Sequence, residues 1–231
     1  MKQGVFEIGV CRQTLVARFK IQGNLRFLSH AETTRLIRRA LIRSGVELYY
    51  SEGFNPQPRL SLPLPRSVAV ASEGELFCAA IFCADDEGSG ICDKLKSDIN
   101  NQLPADCRLS SVKIFNGKIS PKAVSAMYCF PVEAVQMNKV FRDNVKYLNQ
   151  NIAAATPIVI DRTIDAKGRT RQVDVCRFVE SVDVDEDGIT AKCVISNAGT
   201  IRPTEILKLL ELDCSTLSGP IRRCLVKWKM N

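Results

Sequence analysis

The sequence predicts an α+β protein made of two successive modules of similar size, and three observations lead to this prediction. The chain has 231 residues, which exceeds the roughly 100 to 150 residues of a common single domain. Hydrophobic residues make up 45% and charged residues 25% of the chain, as in ordinary folded proteins. Segments that alternate apolar and polar residues, as strands do, are interleaved with segments of helical periodicity. The first module is expected at residues 1–118 and the second at 119–231.

The first module starts with a strand and a helix. Residues 14–22 alternate, with apolar side chains on one side and Arg18 and Lys20 on the other, which predicts a half-buried strand. The helix is expected to begin after Ser29, because Glu32 follows three residues later as in a capping box. Its apolar residues share one face, its arginines lie opposite, and a glycine follows it as a stop signal.

Four further elements complete the first module. Val46–Tyr50 alternates as a second strand, and the proline-rich stretch Ser51–Pro65 predicts a shaped loop. Glu75–Cys83 is apolar on both faces and predicts a central strand. Ile91–Leu103 predicts a second helix, and Leu109–Phe115 predicts the closing strand. The order βαββαβ is that of the ferredoxin-like fold, in which two helices cover one face of the sheet.

The second module repeats this order of elements after a linker at Asn116–Pro121. Its predicted strands are 126–135, 170–181, 188–195 and 222–229, and its predicted helices are 140–155 and 203–212. The sequence therefore predicts two tandem ferredoxin-like (βαββαβ) domains. Because only the element order repeats, and not the residues, the alternative is one α+β domain followed by an unrelated C-terminal module.

Several functional classes are disfavoured by what the sequence lacks. It contains no apolar run of about 20 residues, and Met1–Gln13 has no signal-peptide stretch, so a cytoplasmic protein without a membrane partner is expected. Its ten cysteines include no CxxC pair, and we interpret them as free thiols rather than zinc or iron–sulfur ligands. No GxxxxGK[ST], GxGxxG, HExxH or GxSxG motif occurs, so no bound cofactor or metal is predicted.

The net charge of +7 favours an anionic partner, and nucleic acid is the first candidate. Cationic side chains on the first strand, the first helix and three loops are candidate contacts to RNA phosphates. They are Arg18, Lys20, Arg35, Arg38, Arg39, Arg59, Lys167, Arg169, Arg171 and Arg202. Tyr49 is expected to offer a ring on which a base can stack, and the start of the last helix at Arg202 is a candidate anion site. The alternative is that these charges are solvated surface.

The loop Ser51–Arg59 is the most distinctive stretch of the sequence. Its glycine frees the backbone while its prolines fix φ, so the loop is expected to be pre-organised. Pre-organised loops lose little entropy on binding. Phe54, Asn55, Pro56 and Pro58 are therefore candidate partner-binding residues. The alternative is a rigid turn that only joins two strands.

His30 is the only histidine, which excludes mechanisms that need two imidazoles. At the start of a helix it can act as a general acid or base in RNA cleavage if cations stabilise the transition state. The alternative is a residue that orders the strand-to-helix turn.

The runs Lys20–His30 and Tyr50–Ser61 resemble the radical-SAM-linked protein family, a bacterial family of unknown function. The resemblance extends over nearly the whole chain through Leu62–Pro65, Ser72–Glu75, Lys167–Arg169 and Gly199–Pro203. Ala31–Glu32 and Ser67 depart from the pattern of that family. Members are encoded beside, or fused to, a radical-SAM protein, so the resemblance implies a radical-SAM partner. The predicted fold is also similar to that of CRISPR repeat-processing endoribonucleases, which often place a catalytic histidine near the first helix.

These observations favour a non-catalytic accessory protein that presents RNA, such as tRNA or rRNA, to a radical-SAM partner. One alternative is a metal-independent endoribonuclease with His30 as the proton donor or acceptor. The other is a protein–protein adaptor that docks its partner through the proline-rich loop and has no RNA role.

Overall fold

The computed structural model describes residues 12–82, 90–133, 138–164 and 167–230. These residues form an α+β fold with four α-helices and strands that pair mostly antiparallel. They divide into two compact units. The first unit contains residues 12–68, 74–122 and Met230, and the second contains residues 69–73 and 123–229.

The first unit places two long helices among four strands. Its elements are β1 (Arg12–Ile21), α1 (His30–Arg43), β2 (Leu60–Ser61), β3 (Ala71–Phe82), α2 (Ile91–Gln102) and β4 (Cys107–Asn116). The strands lie in the order β4-β1-β3-β2, with β4 antiparallel to β1 and β2 antiparallel to β3. The first three residues of β3 belong to the second unit.

The core of the first unit lies between α1, α2 and one face of β1 and β3. Alternate residues of β1, such as Leu15 and Phe19, are fully buried against Ile37 and Leu41 of α1. The rings of Phe19 and Phe77 lie 6.0 Å apart at a tilted angle. Each such side chain stabilises the unit by about 1.5 to 3 kcal/mol through burial. The predicted alternation is therefore confirmed from Ala17 to Ile21, whereas Val16, expected on the exposed side, is buried as well.

The start of α1 is set by the capping box that the sequence predicts. The Ser29 Oγ accepts from the Glu32 amide at 3.3 Å, and the Ser29 amide donates to the Glu32 carboxylate at 2.9 Å. These two bonds satisfy amides that have no partner within the helix. The helix ends at Arg43, two residues before Gly45, the glycine that the sequence predicts as its stop signal.

The strand predicted at Val46–Tyr50 forms only isolated bridges. Leu48 forms a bridge with Ile81 of β3, and Tyr50 forms a bridge with Pro58 in the proline-rich loop. The segment thus pairs with β3 at one end and with the end of the proline-rich loop at the other, so it forms no regular ladder. The strand that pairs with β3 is the short β2 instead.

The second unit contains a sheet and a separate hairpin. Its elements are β5 (Lys122–Phe130), α3 (Lys139–Ala153), β6 (Val159–Thr163), β7 (Thr170–Asp174), β8 (Val179–Asp185), β9 (Gly188–Val194), α4 (Pro203–Leu209) and β10 (Arg222–Lys229). The sheet order is β10-β5-β9-β8, and β6 pairs with β7 as the hairpin. β10 also pairs in parallel with the first residues of β3.

The single strand predicted at 170–181 is two strands in the structure. The side chain of Asp174 accepts from the Cys176 amide at 3.2 Å and starts a 3-10 turn at Val175–Arg177. The turn separates β7, which belongs to the hairpin, from β8, which belongs to the sheet. Asp side chains favour such turns because they bond a backbone amide two residues on.

Gly188 allows the tight entry into β9. Its φ is +132°, and a Cβ at this position would lie 2.2 Å from the carbonyl oxygen of Phe130. Only a residue without a side chain fits this close approach of two backbones.

Some parts of the sequence discussed above lie outside the described residues. They are residues 1–11 with Cys11, Cys83 at the end of the predicted central strand, the end of the strand predicted at 126–135, and residues 165 and 166 before Lys167. The described cysteines are free thiols. Within the described ranges, every helix is too short or too polar to cross a bilayer.

Candidate nucleic-acid interface

A groove of about 410 Å³ on the first unit is rimmed by arginines, and we call it the arginine groove. Arg35, Arg39 and Arg43 project from α1 along one edge, because residues four apart share one face of a helix. Half-buried leucines at positions 25, 28 and 36 contribute apolar surface. The sequence predicts a basic stripe of Arg35, Arg38, Arg39 and Arg43 on this helix, and all of these except Arg38 line the groove.

Glu32 is the acidic residue that lines the arginine groove. Its carboxylate accepts from the Ser29 hydroxyl at 2.7 Å and from the Ser29 amide at 2.9 Å. The hydrogen bonds from Ser29 lower the pKa of Glu32, and the nearby Arg35 adds to this effect. Glu32 is therefore ionised at neutral pH, and its carboxylate is already bonded to Ser29 in the capping box of α1. Three guanidinium groups against one carboxylate leave the groove positively charged.

The segment before α1 that brings Leu25 and Leu28 to the groove is held by a buried arginine that sequence reasoning missed. The guanidinium of Arg66 donates to the carbonyl of Arg26 at 2.7 Å and to the carbonyl of Leu28 at 3.0 Å. Arg66 is only 8% exposed. Hydrogen bonds from a charged donor stabilise by about 1.5 to 3 kcal/mol each. The segment that carries the apolar groove residues is thereby fixed in place.

Arg38 lies apart from the groove and joins α1 to the proline-rich loop. Its Nη1 donates to the Gln57 Oε1 at 2.9 Å. The loop is closed by the Ser51 amide, which donates to the Gln57 carbonyl at 2.8 Å. The Asn55 Oδ1 accepts from the Gln57 Nε2 at 3.2 Å. The loop is thus internally bonded, and Phe54 at its tip is fully exposed.

The remaining loop candidates lie on either side of this closure. Pro56 is exposed and Pro58 is half-buried next to its bridge with Tyr50. Arg59 follows directly and is exposed, with its guanidinium carbon 5.1 Å from the centre of the Tyr49 ring.

Tyr49 has partners other than the base that the sequence analysis expected. The guanidinium of Arg12 lies over the Tyr49 ring at 4.9 Å, in addition to that of Arg59. The ring also contacts the ring of Phe82 at 5.1 Å. The structure therefore uses Tyr49 to position two guanidinium groups, because the face of an aromatic ring attracts cations.

Arg18 and Lys20 lie on the face of β1 that points away from the helices. Their neighbour Phe19 is buried in the core, and side chains alternate along a strand. Both cations are exposed. The structure thus brings Arg35 and Arg39 together, but it does not join Arg18 and Lys20 to them.

The four candidates of the second unit gather around the β6–β7 hairpin. Lys167 and Arg169 lie in its turn region, and Arg171 lies on β7 opposite Arg162. The Arg202 Nη1 donates to the carbonyl of Thr163 at the end of β6, at 3.1 Å. The sequence alone predicts a basic turn and a separate helix start, without a contact between them.

The start of α4 already holds a carboxylate, contrary to the expected anion site. The Glu205 Oε2 accepts from the Arg202 amide at 2.8 Å. The same carboxylate pairs with the Arg162 guanidinium through two contacts of 2.7 Å. The Arg202 amide, one of the donors expected for an external anion, is thus already bonded within the chain.

His30 is exposed as the first residue of α1 and does not line the arginine groove. Its carbonyl accepts from the Thr34 hydroxyl at 2.8 Å. Across the four described ranges, no three His, Cys, Asp or Glu side chains are placed to hold one metal ion together.

Comparison of the sequence with models of protein families gives one match. Residues 14–205 match the family described as uncharacterized proteins conserved in bacteria, DUF2344. The chain belongs to the DUF2344 family. The match includes every candidate residue from Arg18 to Arg202, and Arg12 lies just outside it. The description of DUF2344 gives no activity and no partner. A search of curated proteins finds no match.

Proposed function

We propose that this DUF2344 protein is a non-catalytic accessory protein that binds RNA through the arginine groove and presents it to a radical-SAM partner. The observation that carries the RNA proposal is the row of Arg35, Arg39 and Arg43 along one edge of the groove. A cytoplasmic location is part of the proposal.

The chemistry of the groove favours single-stranded RNA. Residues four apart on a helix are separated by about 6 Å along its axis, so each arginine can contact a different phosphate. Guanidinium groups bind phosphate oxygens with two parallel hydrogen bonds. Unstacked bases need apolar surface, and the half-buried Leu25, Leu28 and Leu36 supply it. The cations around the β6–β7 hairpin are proposed as a second phosphate contact.

The test is binding of a labelled single-stranded RNA across a salt series. Each lost phosphate contact lowers the slope of log K against log salt by about 0.7. The triple variant R35Q/R39Q/R43Q is therefore expected to reduce the slope by about 2. A second triple variant, K167Q/R169Q/R171Q, tests the hairpin in the same way.

The matched control removes the same charge elsewhere in the first unit. Lys94, Lys96 and Lys113 lie on α2 and β4 and do not line the groove, so K94Q/K96Q/K113Q should keep most of the slope. Equal slopes for the control and the groove variant would remove the groove from the proposal. Absence of binding at low salt would remove RNA altogether.

The radical-SAM partner is supported by the family resemblance of the two N-terminal motifs. It is tested by co-purification with the radical-SAM protein encoded nearest to the gene, before and after nuclease treatment. Loss of the complex after nuclease treatment supports presentation of RNA.

The adaptor alternative has one observation in its favour, the full exposure of Phe54 on an internally bonded loop. Exposed aromatic residues often anchor protein–protein interfaces. If F54A abolishes the complex while nuclease does not, the adaptor function replaces the RNA proposal.

The endoribonuclease alternative depends on His30, which is exposed at the start of α1. Under our proposal, labelled RNA incubated with the protein and EDTA stays intact. Cleavage that H30A abolishes would replace the accessory role with a catalytic one.

We also infer that both units are ferredoxin-like domains. The orders β4-β1-β3-β2 and β10-β5-β9-β8 support this inference. The strands of each sheet are counted here along the chain, without the β6–β7 hairpin. In both sheets the fourth strand lies beside the first, and the third lies between the first and the second. Hydrogen-exchange NMR of the paired amides tests this order, and missing protection in the central strand of either unit would contradict it.

A further inference from the structure

A second cavity of the first unit, of about 240 Å³, is lined by cations that the proposed function does not use together. It lies beside the start of β1, β2 and the residues that follow β4. Arg12, Arg59 and Lys118 line it, and none of the described residues in its lining is acidic. Cys78 and Ala80 of β3 are also in the lining and are buried. None of these five residues lines the arginine groove.

Arg12 lines this cavity, and its Nε is buried without a hydrogen-bond partner among the described residues. A buried donor without a partner costs about 1 to 3 kcal/mol, and such groups are rare in folded proteins. The guanidinium is therefore held by its contact with the Tyr49 ring and not by a hydrogen bond from Nε.

Tyr49 holds the two arginines in place before any ligand arrives. Both guanidinium carbons lie over its ring, at 4.9 Å for Arg12 and 5.1 Å for Arg59. The backbone around Arg59 is fixed as well, because its amide donates to the Tyr49 carbonyl at 2.8 Å and its carbonyl accepts from the Ala80 amide at 2.9 Å. Cations positioned in this way lose little entropy when they bind an anion.

Three positive charges, in a lining whose described part contains no carboxylate, indicate a ligand with more than one negative charge. A phosphate group fits, since its oxygens accept from guanidinium forks and from a lysine ammonium. The cavity is smaller than the roughly 300 to 1,000 Å³ of a pocket for a drug-sized ligand, which favours a single group over a whole cofactor.

We propose that this cavity is a phosphate-binding pocket in which Arg12, Arg59 and Lys118 hold the phosphate. The phosphate can belong to a small phosphomonoester or to RNA. The pocket shares no residue with the arginine groove, so the proposal stands if the groove does not bind RNA.

The first experiment measures the melting temperature of the full chain against inorganic phosphate, with chloride at equal ionic strength as the reference. A saturable rise with phosphate alone is expected, because a ligand that binds the folded state stabilises it. K118Q and R59Q are each expected to weaken phosphate binding by about tenfold. R12Q tests the third cation of the lining, and the other two variants keep the test valid if R12Q does not fold.

K113Q is the matched control, because Lys113 is exposed on β4 and does not line the pocket. It should bind phosphate as the wild type does. The groove variant R35Q/R39Q/R43Q should also keep phosphate binding, which separates failure of the pocket from failure of the proposed RNA function. Equal phosphate binding by wild type, K118Q and R59Q would overturn the pocket, as would a chloride series that matches the phosphate series.

The second experiment identifies the source of the phosphate by competition. Short RNAs with a 5′-phosphate or a 5′-hydroxyl and the small ester glycerol phosphate each compete with inorganic phosphate. Preference for the 5′-phosphorylated RNA assigns the pocket to an RNA end, and equal competition by both RNAs assigns it to the RNA backbone. Competition by glycerol phosphate alone assigns it to a small phosphomonoester, and no competition by any of them overturns the proposal.

Discussion

The ion pair between Arg162 and Glu205 gives the sharpest prediction about the stability of the second unit. The Arg162 Nε and Nη2 each lie 2.7 Å from an oxygen of Glu205. The same carboxylate accepts from the Arg202 amide at 2.8 Å. Glu205→Gln keeps the shape of the side chain but removes its charge, so Arg162 is left as a nearly buried cation without a counter-ion.

The magnitude follows from the burial of the pair. The two side chains are 15% and 8% exposed, and removal of one partner of a buried pair costs about 3 to 5 kcal/mol. Arg162 keeps its bond to the Thr200 carbonyl at 2.9 Å and some contact with solvent. We therefore expect a loss near the lower end, about 3 kcal/mol, and a fall in melting temperature of about 10 °C.

The assay is urea unfolding followed by circular dichroism, with the exposed pair of Arg177 and Asp174 as the control. That pair has a 3.2 Å contact, but Arg177 is 79% exposed. Since exposed pairs contribute about 0.2 to 1 kcal/mol, Arg177→Gln should change the free energy of unfolding very little. The reasoning from burial is refuted if Glu205→Gln is no more destabilising than Arg177→Gln.

Three further predictions concern other parts of the chain. Gly188→Ala should lower the free energy of unfolding in urea by several kcal/mol more than Gly53→Ala does. Both glycines have positive φ, but of the two only Gly188 has backbone atoms where the new Cβ would lie. Equal losses would contradict the clash. Burial raises the pKa of Cys107 and of Cys193 to about 12. The unfolded chain then releases these protons first, so the free energy of unfolding should fall above pH 9.0, the ordinary thiol value. Cys193→Ala should make this fall shallower by up to about 1.4 kcal/mol per pH unit, and an unchanged pH profile would argue against burial. The Asn138 side chain caps α3 by accepting from the Phe141 amide at 3.0 Å. In urea unfolding, Asn138→Ala should cost about 1 kcal/mol, whereas Asn138→Asp should cost little; equal losses would contradict the cap.

The elements that the sequence predicts well are those whose signal is local. The capping box of Ser29 and Glu32 and the alternation along β1 depend on residues that are close in sequence. The β6–β7 hairpin was missed because Asp174, a turn residue inside an otherwise strand-like stretch, divides it from β8. Lys167, Arg169 and Arg171 were recognised as cations, but not as part of one hairpin with Arg202.

Part of each candidate site was predictable, and part was not. The spacing of Arg35 and Arg39 already predicts a shared helix face. The role of Arg66 depends on carbonyl groups about 40 residues away in the chain, and no sequence pattern identifies such partners. Arg12 and Lys118 likewise lie far apart in sequence and line the same cavity only after β1 and the end of β4 have paired.

The sequence by itself determined the α+β class, the start of α1, the faces of β1 and the excess of positive charge, because periodicity, capping and charge are properties of neighbouring residues. Only the tertiary structure decided which cations share a cavity and which of them already bond to backbone carbonyls or to Glu205. It also decided that Tyr49 holds two guanidinium groups. The physical reason is that hydrogen bonds and burial join groups that are distant along the chain, and the folded backbone alone sets those distances.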